Sequence, residues 1–507
     1  MQPTNDPIII FTGDGIADAG QEDKLSRLRQ RLDGSDRKLL LHLHGGLVNK
    51  ANGEAAARRL AGTGDGSWGL SEDWVQVYVV WRTGVAETIR NNWTDLAEDH
   101  LYQVVLRKLL KFVARQIGIP TDNGARSVED RFRLDELEIQ DRITGARDTK
   151  DPFADVDVHF SRQDSGISRA TLTGRASDIE LADEFERQLL LDADFNTAIA
   201  EIDAALNESQ LSRSSLTAVD PVRGRKSLDH LSATIRAQWP DPNRETDEAR
   251  GLVAVGVFML KYAGEIAYRC FKRFRSERHH GFHATVVEEI CRVLYADRVG
   301  AAIWGLMVQD AADHFKPAGF GSSLLDVLAA APEPSRFVVS AHSAGSIWAS
   351  HMLLAMASRD LQIKLRLFLL APAVRQSLFA QAIGGAANQI ELCRMYTMSD
   401  EYERKDAVLG HDKGYIYPSS LLYCVSGIFE TLGQNAYPDA PLVGMRRFTA
   451  APWLNAEEAA AETVVSRFFQ QPQNGIVEAP QLQISEANSH GAFDDEKFTL
   501  KSVASLF

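Results

Sequence analysis

A serine lies between small residues in Phe337-Val338-Val339-Ser340-Ala341-His342-Ser343-Ala344-Gly345-Ser346, directly after a short β-branched run and before the helical stretch Ile347 to Ala357. A strand, a tight turn and a helix with serine at the apex present its hydroxyl to a substrate carbonyl. Small residues two positions either side let the helix approach the strand. That hydroxyl is a weak nucleophile until a base takes its proton, and the base is most often a histidine oriented by a carboxylate. Three histidines follow it: His351, His411 and His490. His351 lies two turns along the helix that begins at the serine and points away from it. A second stretch, Leu39-Leu40-Leu41-His42-Leu43-His44-Gly45-Gly46-Leu47, reads as a strand running into a His-Gly-Gly turn. Acyl transfer through a tetrahedral intermediate needs N–H donors aimed at the developing oxyanion, and glycines let the backbone approach it. The plainer reading of Ser343 is a capping serine at a helix start.

Together these motifs resemble the α/β-hydrolase superfamily of esterase- and lipase-like serine hydrolases, whose nucleophile elbow is usually G-x-S-x-G; Ala341 replaces the first glycine here. The resemblance covers Pro7 to Gly84 and Ser335 to Phe507, about half of the chain. It implies a catalytic triad in the chain order Ser, Asp or Glu, His, with Ser343 as nucleophile and His490, in Ile484 to Phe493, as base. His411 comes too soon after the preceding strand. The orienting carboxylate is expected at the end of the strand Glu391 to Ser399, which points to Asp400. Asp406 is next in order, and a solvated or capping loop is the plain reading of both. The oxyanion hole falls to the amides of Gly46 or Leu47 and of Ala344, with His44 and Gly45 ordering the loop. The implied reaction is hydrolysis of a carboxylic ester through an acyl-enzyme, on a small-molecule or lipid acyl substrate. A thioesterase, amidase, peptidase or acyltransferase would use the same residues, and a non-catalytic α/β-hydrolase-like binding module is the alternative from another class.

The elements that must position these groups read as short apolar strands at Pro7–Phe11, Lys38–Leu43, Trp74–Trp81, Arg336–Ser340, Leu365–Leu370 and Ile390–Met398, with helical patterns between most of them. The expected fold class is α/β, the α/β-hydrolase fold: a mostly parallel sheet with helices on both faces. About 250 residues separate the third strand from the fourth, far more than a crossover needs. The expected division is therefore a core of residues 1–84 and 335–507 with a mainly helical cap of 85–334, whose last part, about 300–334, returns to the core. Within the cap, Leu101–Ile117, Leu181–Leu206 and Leu252–Phe274 read as helices. Asp122–Gly174 reads as a small hairpin or loop, with Val156–Phe160 alternating.

No metal or cofactor is expected. His42 and His44 share a strand face without a nearby acid or thiol to complete a ligand set, and His279, His280 and His283 read as surface residues at a helix end. The chain has 507 residues and a formal net charge of −14, which argues against a nucleic-acid partner. Four scattered cysteines read as reduced thiols. The first residues carry no Sec-type leader pattern and no apolar run is long enough to span a bilayer, so the expected location is cytoplasmic. Two basic clusters, Arg107/Lys108/Lys111/Arg115 and Lys272/Arg273/Arg275/Arg278, allow peripheral contact with an anionic membrane surface; solvated helix faces are the plainer reading.

Overall fold

The computed structural model describes residues 6–33, 36–46, 48–81, 86–121, 134–145, 151–163, 178–200, 230–239, 248–296, 299–410, 413–430 and 439–507. Leu47, His411, and most of the stretches 122–174 and 209–243 lie outside them.

Eight strands form one sheet: β1 (Ile8–Gly13), β2 (Ile16–Ala17), β3 (Lys38–Leu43), β4 (Trp74–Trp81), β5 (Arg336–His342), β6 (Leu365–Leu370), β7 (Ile390–Met398) and β8 (Asn474–Ala479). Their order is β2-β1-β4-β3-β5-β6-β7-β8, and every pairing is parallel except β1 with β2. The chain is thus α/β with a mostly parallel sheet. Successive side chains alternate between two apolar layers, as strand geometry requires. Leu39, Leu41, Leu43, Val339 and Ala341 enter one layer, while Leu40, Val338, Phe368 and Leu370 enter the other. The first layer is continuous with the helices inserted after β4. The second is closed by helix Lys50–Leu60 and by the C-terminal helix Lys497–Ala504 with Phe507.

Six strands fall where the apolar runs place them, β1 and β5 each running two residues further, to Gly13 and His342. The antiparallel β2 and the edge strand β8 were not anticipated. β8 lies at the sheet edge and carries a half-exposed interior, so it lacks the continuous apolar run of a doubly covered strand.

The insertion is helical wherever it is described. His100–Gln116, Asp178–Leu191, Glu248–Arg275 and Phe282–Leu294 pack on one another. Gly264 allows the long helix to lie close to its neighbour: a Cβ there would come within 3.1 Å of the Glu186 backbone. The pattern expected to run to Leu206 is interrupted at Asp192, whose side chain accepts the amides of Asp194 and Phe195 as a cap. Val156–Phe160 belongs to helix Ala154–Gln163 and not to a hairpin. Phe153 and Val156 stand three residues apart and are both buried, which is a helical spacing. Ala301–Asp313 and Phe320–Ala330 return to the sheet, packing on the helix after β5.

The two basic clusters divide between surface and interior: Arg115, Lys272 and Arg275 are exposed, whereas Lys108, Arg273 and Arg278 are buried. Lys108 bonds Glu136, Lys111 bonds Asp194 and Arg115 bonds Asp192, while Arg273 and Arg278 are buried among carboxylates. His280 and His283 are likewise buried rather than on the surface, because the turn after the long helix folds under Phe282–Leu294. Among the described residues, no helix is long and apolar enough to cross a membrane.

Candidate active site

β3 is followed in sequence by β4 on one side of it, whereas β5 lies on the other side. Crevices open at such reversals, beyond the carboxyl ends of the strands. The loops after β3 and β5 carry the His-Gly-Gly turn and Ser343 to this position.

Ser343 has φ 50°, in the left-handed region that costs a non-glycine residue roughly 1–3 kcal/mol. Its neighbours hold it there. The Ser343 amide donates to the Leu370 carbonyl at 2.8 Å, and its own carbonyl accepts the amides of Ser346 and Ala373, each at 3.1 Å. The Ser346 hydroxyl donates to the same carbonyl and accepts the Val374 amide. Gly345 follows because nothing larger fits: a Cβ would lie 2.5 Å from the Leu43 carbonyl oxygen. Ala341, in place of the usual first glycine of an elbow, is fully buried in the core.

The loop after β3 folds over the serine. A Cβ on Gly46 would come within 2.7 Å of the Met307 sulfur and 2.9 Å of the Ala344 Cβ, and one on Gly45 within 3.2 Å of the Ser343 Cβ, so both glycines leave room for these side chains against the loop. His44 bonds through Nδ1 to the Gly45 carbonyl, and burial pushes its pKa down to about 4, so it orders the turn as a neutral ring. His42 contacts Ser340 across the β3–β5 pair and is pushed down to about 3 by burial. The amides of Gly46 and Ala344 have no acceptor among the described residues.

His490 opens a short 3₁₀ turn, His490–Asp494, after β8. Its Nε2 is 2.8 Å from Ser343 Oγ, so the structure brings these two residues together from 147 positions apart. The ring is buried; burial and the neighbouring His342 push it down to about 3. Its backbone is held at both ends, since its amide donates to Asp406 Oδ2 at 2.7 Å and its carbonyl accepts from His342 Nε2 at 3.1 Å. His490 Nδ1 is buried without a hydrogen-bond partner among the described residues.

Asp400 is not brought to His490. It starts the short helix Asp400–Glu403, and its carboxylate accepts the Tyr423 hydroxyl at 2.6 Å. Of the other acids on this loop, Glu401 is exposed and pairs with Lys405. Glu403 is buried against the Ser420 hydroxyl, and burial pushes its carboxyl well above the usual range. Asp406 is the one that reaches the histidine segment. The chain turns once more after β7 before approaching the site, which spacing from the strand end could not reveal.

Ser343, His490 and Asp406 open onto a cavity of about 580 Å³. Its walls include Val48, Ile89, Trp93, Val408, Leu409, Leu421 and Phe429, with exposed Arg90 at its margin. The size and apolar walls are those of a small-molecule site. The insertion supplies Ile89, Arg90 and Trp93, and the segment after β7 supplies Leu421, Cys424 and Phe429, the last on a π-helical turn, Val425–Phe429. His342 and Asp494 also border the cavity and were not singled out by sequence. The available signals were a histidine directly before the serine and an acid four residues after His490.

No protein-family model, curated protein or solved structure matches this chain.

Proposed function

We propose that the chain is a serine hydrolase of the α/β-hydrolase type, cleaving an acyl ester through an acyl-enzyme. The observation that carries this reading is the 2.8 Å contact between Ser343 Oγ and His490 Nε2, at a left-handed serine that opens onto the cavity. His490 Nε2 takes the Oγ proton as Oγ attacks the ester carbonyl carbon. The carbonyl electron pair moves to oxygen, where the Gly46 and Ala344 amides donate to it. Collapse breaks the bond to the alkoxy group, which leaves with the proton from His490. Water then repeats the sequence on the acyl-enzyme, giving the acid and free Ser343. Asp406, rather than Asp400, supplies the carboxylate that places His490, acting here on the backbone amide of the base.

The apolar walls favour an acyl chain over a charged acyl group. A fluorophosphonate probe should label the wild-type protein at Ser343, and p-nitrophenyl esters should be hydrolysed with a chain-length optimum set by the 580 Å³ cavity. The Nδ1 of His490, without a partner among the described residues, favours the competing reading of a binding module. Absence of labelling would decide for that module.

The two candidate acids separate by substitution. Asp406→Ala removes the acceptor that holds the His490 amide and should lower kcat/KM by about 10- to 100-fold, the order of a lost hydrogen bond to a carboxylate. Asp400→Asn should change kcat/KM less than threefold, because its partner is Tyr423. The reverse ranking in ester kinetics would return the role to Asp400.

A further inference from the structure

His342 precedes the serine at the end of β5 and lies under the base. The two rings stack with centroids 5.5 Å apart and an interplanar angle of 29°. His342 Nε2 is 3.1 Å from the His490 carbonyl oxygen, and its Nδ1 is 3.5 Å from Asp494 Oδ2. Both neighbours can only accept: a carbonyl oxygen on one side, a carboxylate on the other. A neutral imidazole that donates to the carbonyl turns a lone pair toward the carboxylate, whereas an imidazolium donates to the carbonyl and turns its second N–H and its charge toward the carboxylate. Space for the ring depends on Gly45, where a Cβ would lie 3.1 Å from His342 Nδ1.

We propose that His342, held as an imidazolium between Asp494 and the carbonyl of His490, is a positioning residue that fixes His490 against Ser343, and that its charge keeps the base unprotonated in mildly acidic solution. The proposal rests on the hydrolase reading for its kinetic part and on geometry alone for the charge of His342. The base is then gripped from two sides, by Asp406 at its amide and by His342 at its carbonyl. That grip orients the ring without a carboxylate at Nδ1.

The charges around the pair are consistent with this assignment. Burial alone would lower the pKa of His342, but Asp494 reverses the effect and leaves it raised. Burial would raise Asp494, but His342 more than offsets it, with His42 and Arg59 adding to the depression. His42 and His44 face the pair from β3 and its loop, and both are pushed well below neutrality by burial. Asp406 faces His490 from the loop after β7, and Arg59 lies on helix Lys50–Leu60. The sign follows: with the conjugate acid of His490 disfavoured by burial and by a stacked cation, the base loses its activity only well below pH 6.5, the ordinary histidine value.

Two measurements test this. In ¹⁵N-histidine-labelled protein, with the His342 signal assigned by its loss in His342→Gln, both ring nitrogens of His342 should remain protonated at pH 7.5. A neutral ring there overturns the proposal whatever the activity. The second measurement is the rate of fluorophosphonate labelling against pH. Wild type should keep its rate to below pH 5.5, while His342→Gln, which can donate to the His490 carbonyl but carries no charge, should show its acid limb at least one unit higher. His342→Ala, lacking donor and charge, should also lose at least tenfold in maximal labelling rate, and His342→Gln should recover most of that loss. A folded His342→Gln with an unmoved limb, or equal maximal rates for the Ala and Gln variants, overturns the positioning role while leaving the hydrolase reading intact. No labelling of wild type at any pH overturns both.

Discussion

Ser343→Ala should lower kcat/KM for an ester that the wild-type protein hydrolyses by roughly 10⁴-fold or more, the loss expected when the nucleophile of an acyl-enzyme mechanism is removed. The substitution removes one oxygen, and with it the 2.8 Å contact to His490. It leaves the Leu370, Ser346 and Ala373 hydrogen bonds in place, because these involve the Ser343 backbone. Alanine inherits the same left-handed φ, so stability should stay within about 1 kcal/mol of wild type, a surface-like effect despite the burial. Steady-state ester kinetics beside a urea unfolding curve read the two quantities separately. A folded Ser343→Ala protein keeping more than a tenth of the wild-type rate would remove the serine from the mechanism.

Ser343 and His490 were legible because a strand, a turn of small residues and a helix form a local pattern, and because a late histidine in a polar loop stands out after the last core strands. The sheet was legible for a related reason: strands covered on both faces are nearly all apolar, as the fully buried Trp74–Trp81 illustrates. Asp400 was misleading because a strand end is a local feature, whereas the approach of Asp406 to the His490 amide depends on how the chain turns after the helix Asp400–Glu403. His342 and Asp494 were invisible as a pair, since their contact joins the end of β5 to a turn near the C-terminus. The buried status of Arg273, Arg278 and His280 was hidden for the opposite reason. Their basic pattern is that of an exposed helix end, and only the packing of the insertion on the chain after β7 supplies the carboxylates that pair with them, Glu288 from the insertion and Asp439 from beyond it.

That buried network supports the cavity wall, and Arg273→Met should destabilise the protein by about 3–5 kcal/mol, the cost of leaving buried carboxylates without their cation. Arg273 lies on Glu248–Arg275 with 1% of its surface exposed; Nη1 reaches Glu288 at 2.5 Å and Glu289 at 2.9 Å, and Nε donates to the Arg278 carbonyl at 3.1 Å. Glu288 also receives His280 at 2.8 Å and the Tyr417 hydroxyl at 2.6 Å. Burial would raise the Glu288 pKa, yet Arg273 and His280 hold it down at about 2, so the carboxylate is charged at neutral pH and depends on these partners. Glu288 packs directly under Gly427, in the π-helical turn whose Phe429 lines the cavity. Methionine fills a similar volume without charge, so packing loss is small and electrostatics dominate the expected effect. Glu289 keeps a guanidinium partner, Arg292 at 3.0 Å, whereas Glu288 keeps His280 and the Tyr417 hydroxyl, so the loss of the guanidinium falls mainly on Glu288. The double variant Arg273→Met/Glu288→Gln should therefore recover at least half of the loss in urea unfolding. If it proves no more stable than Arg273→Met alone, packing rather than an unpaired charge accounts for the cost.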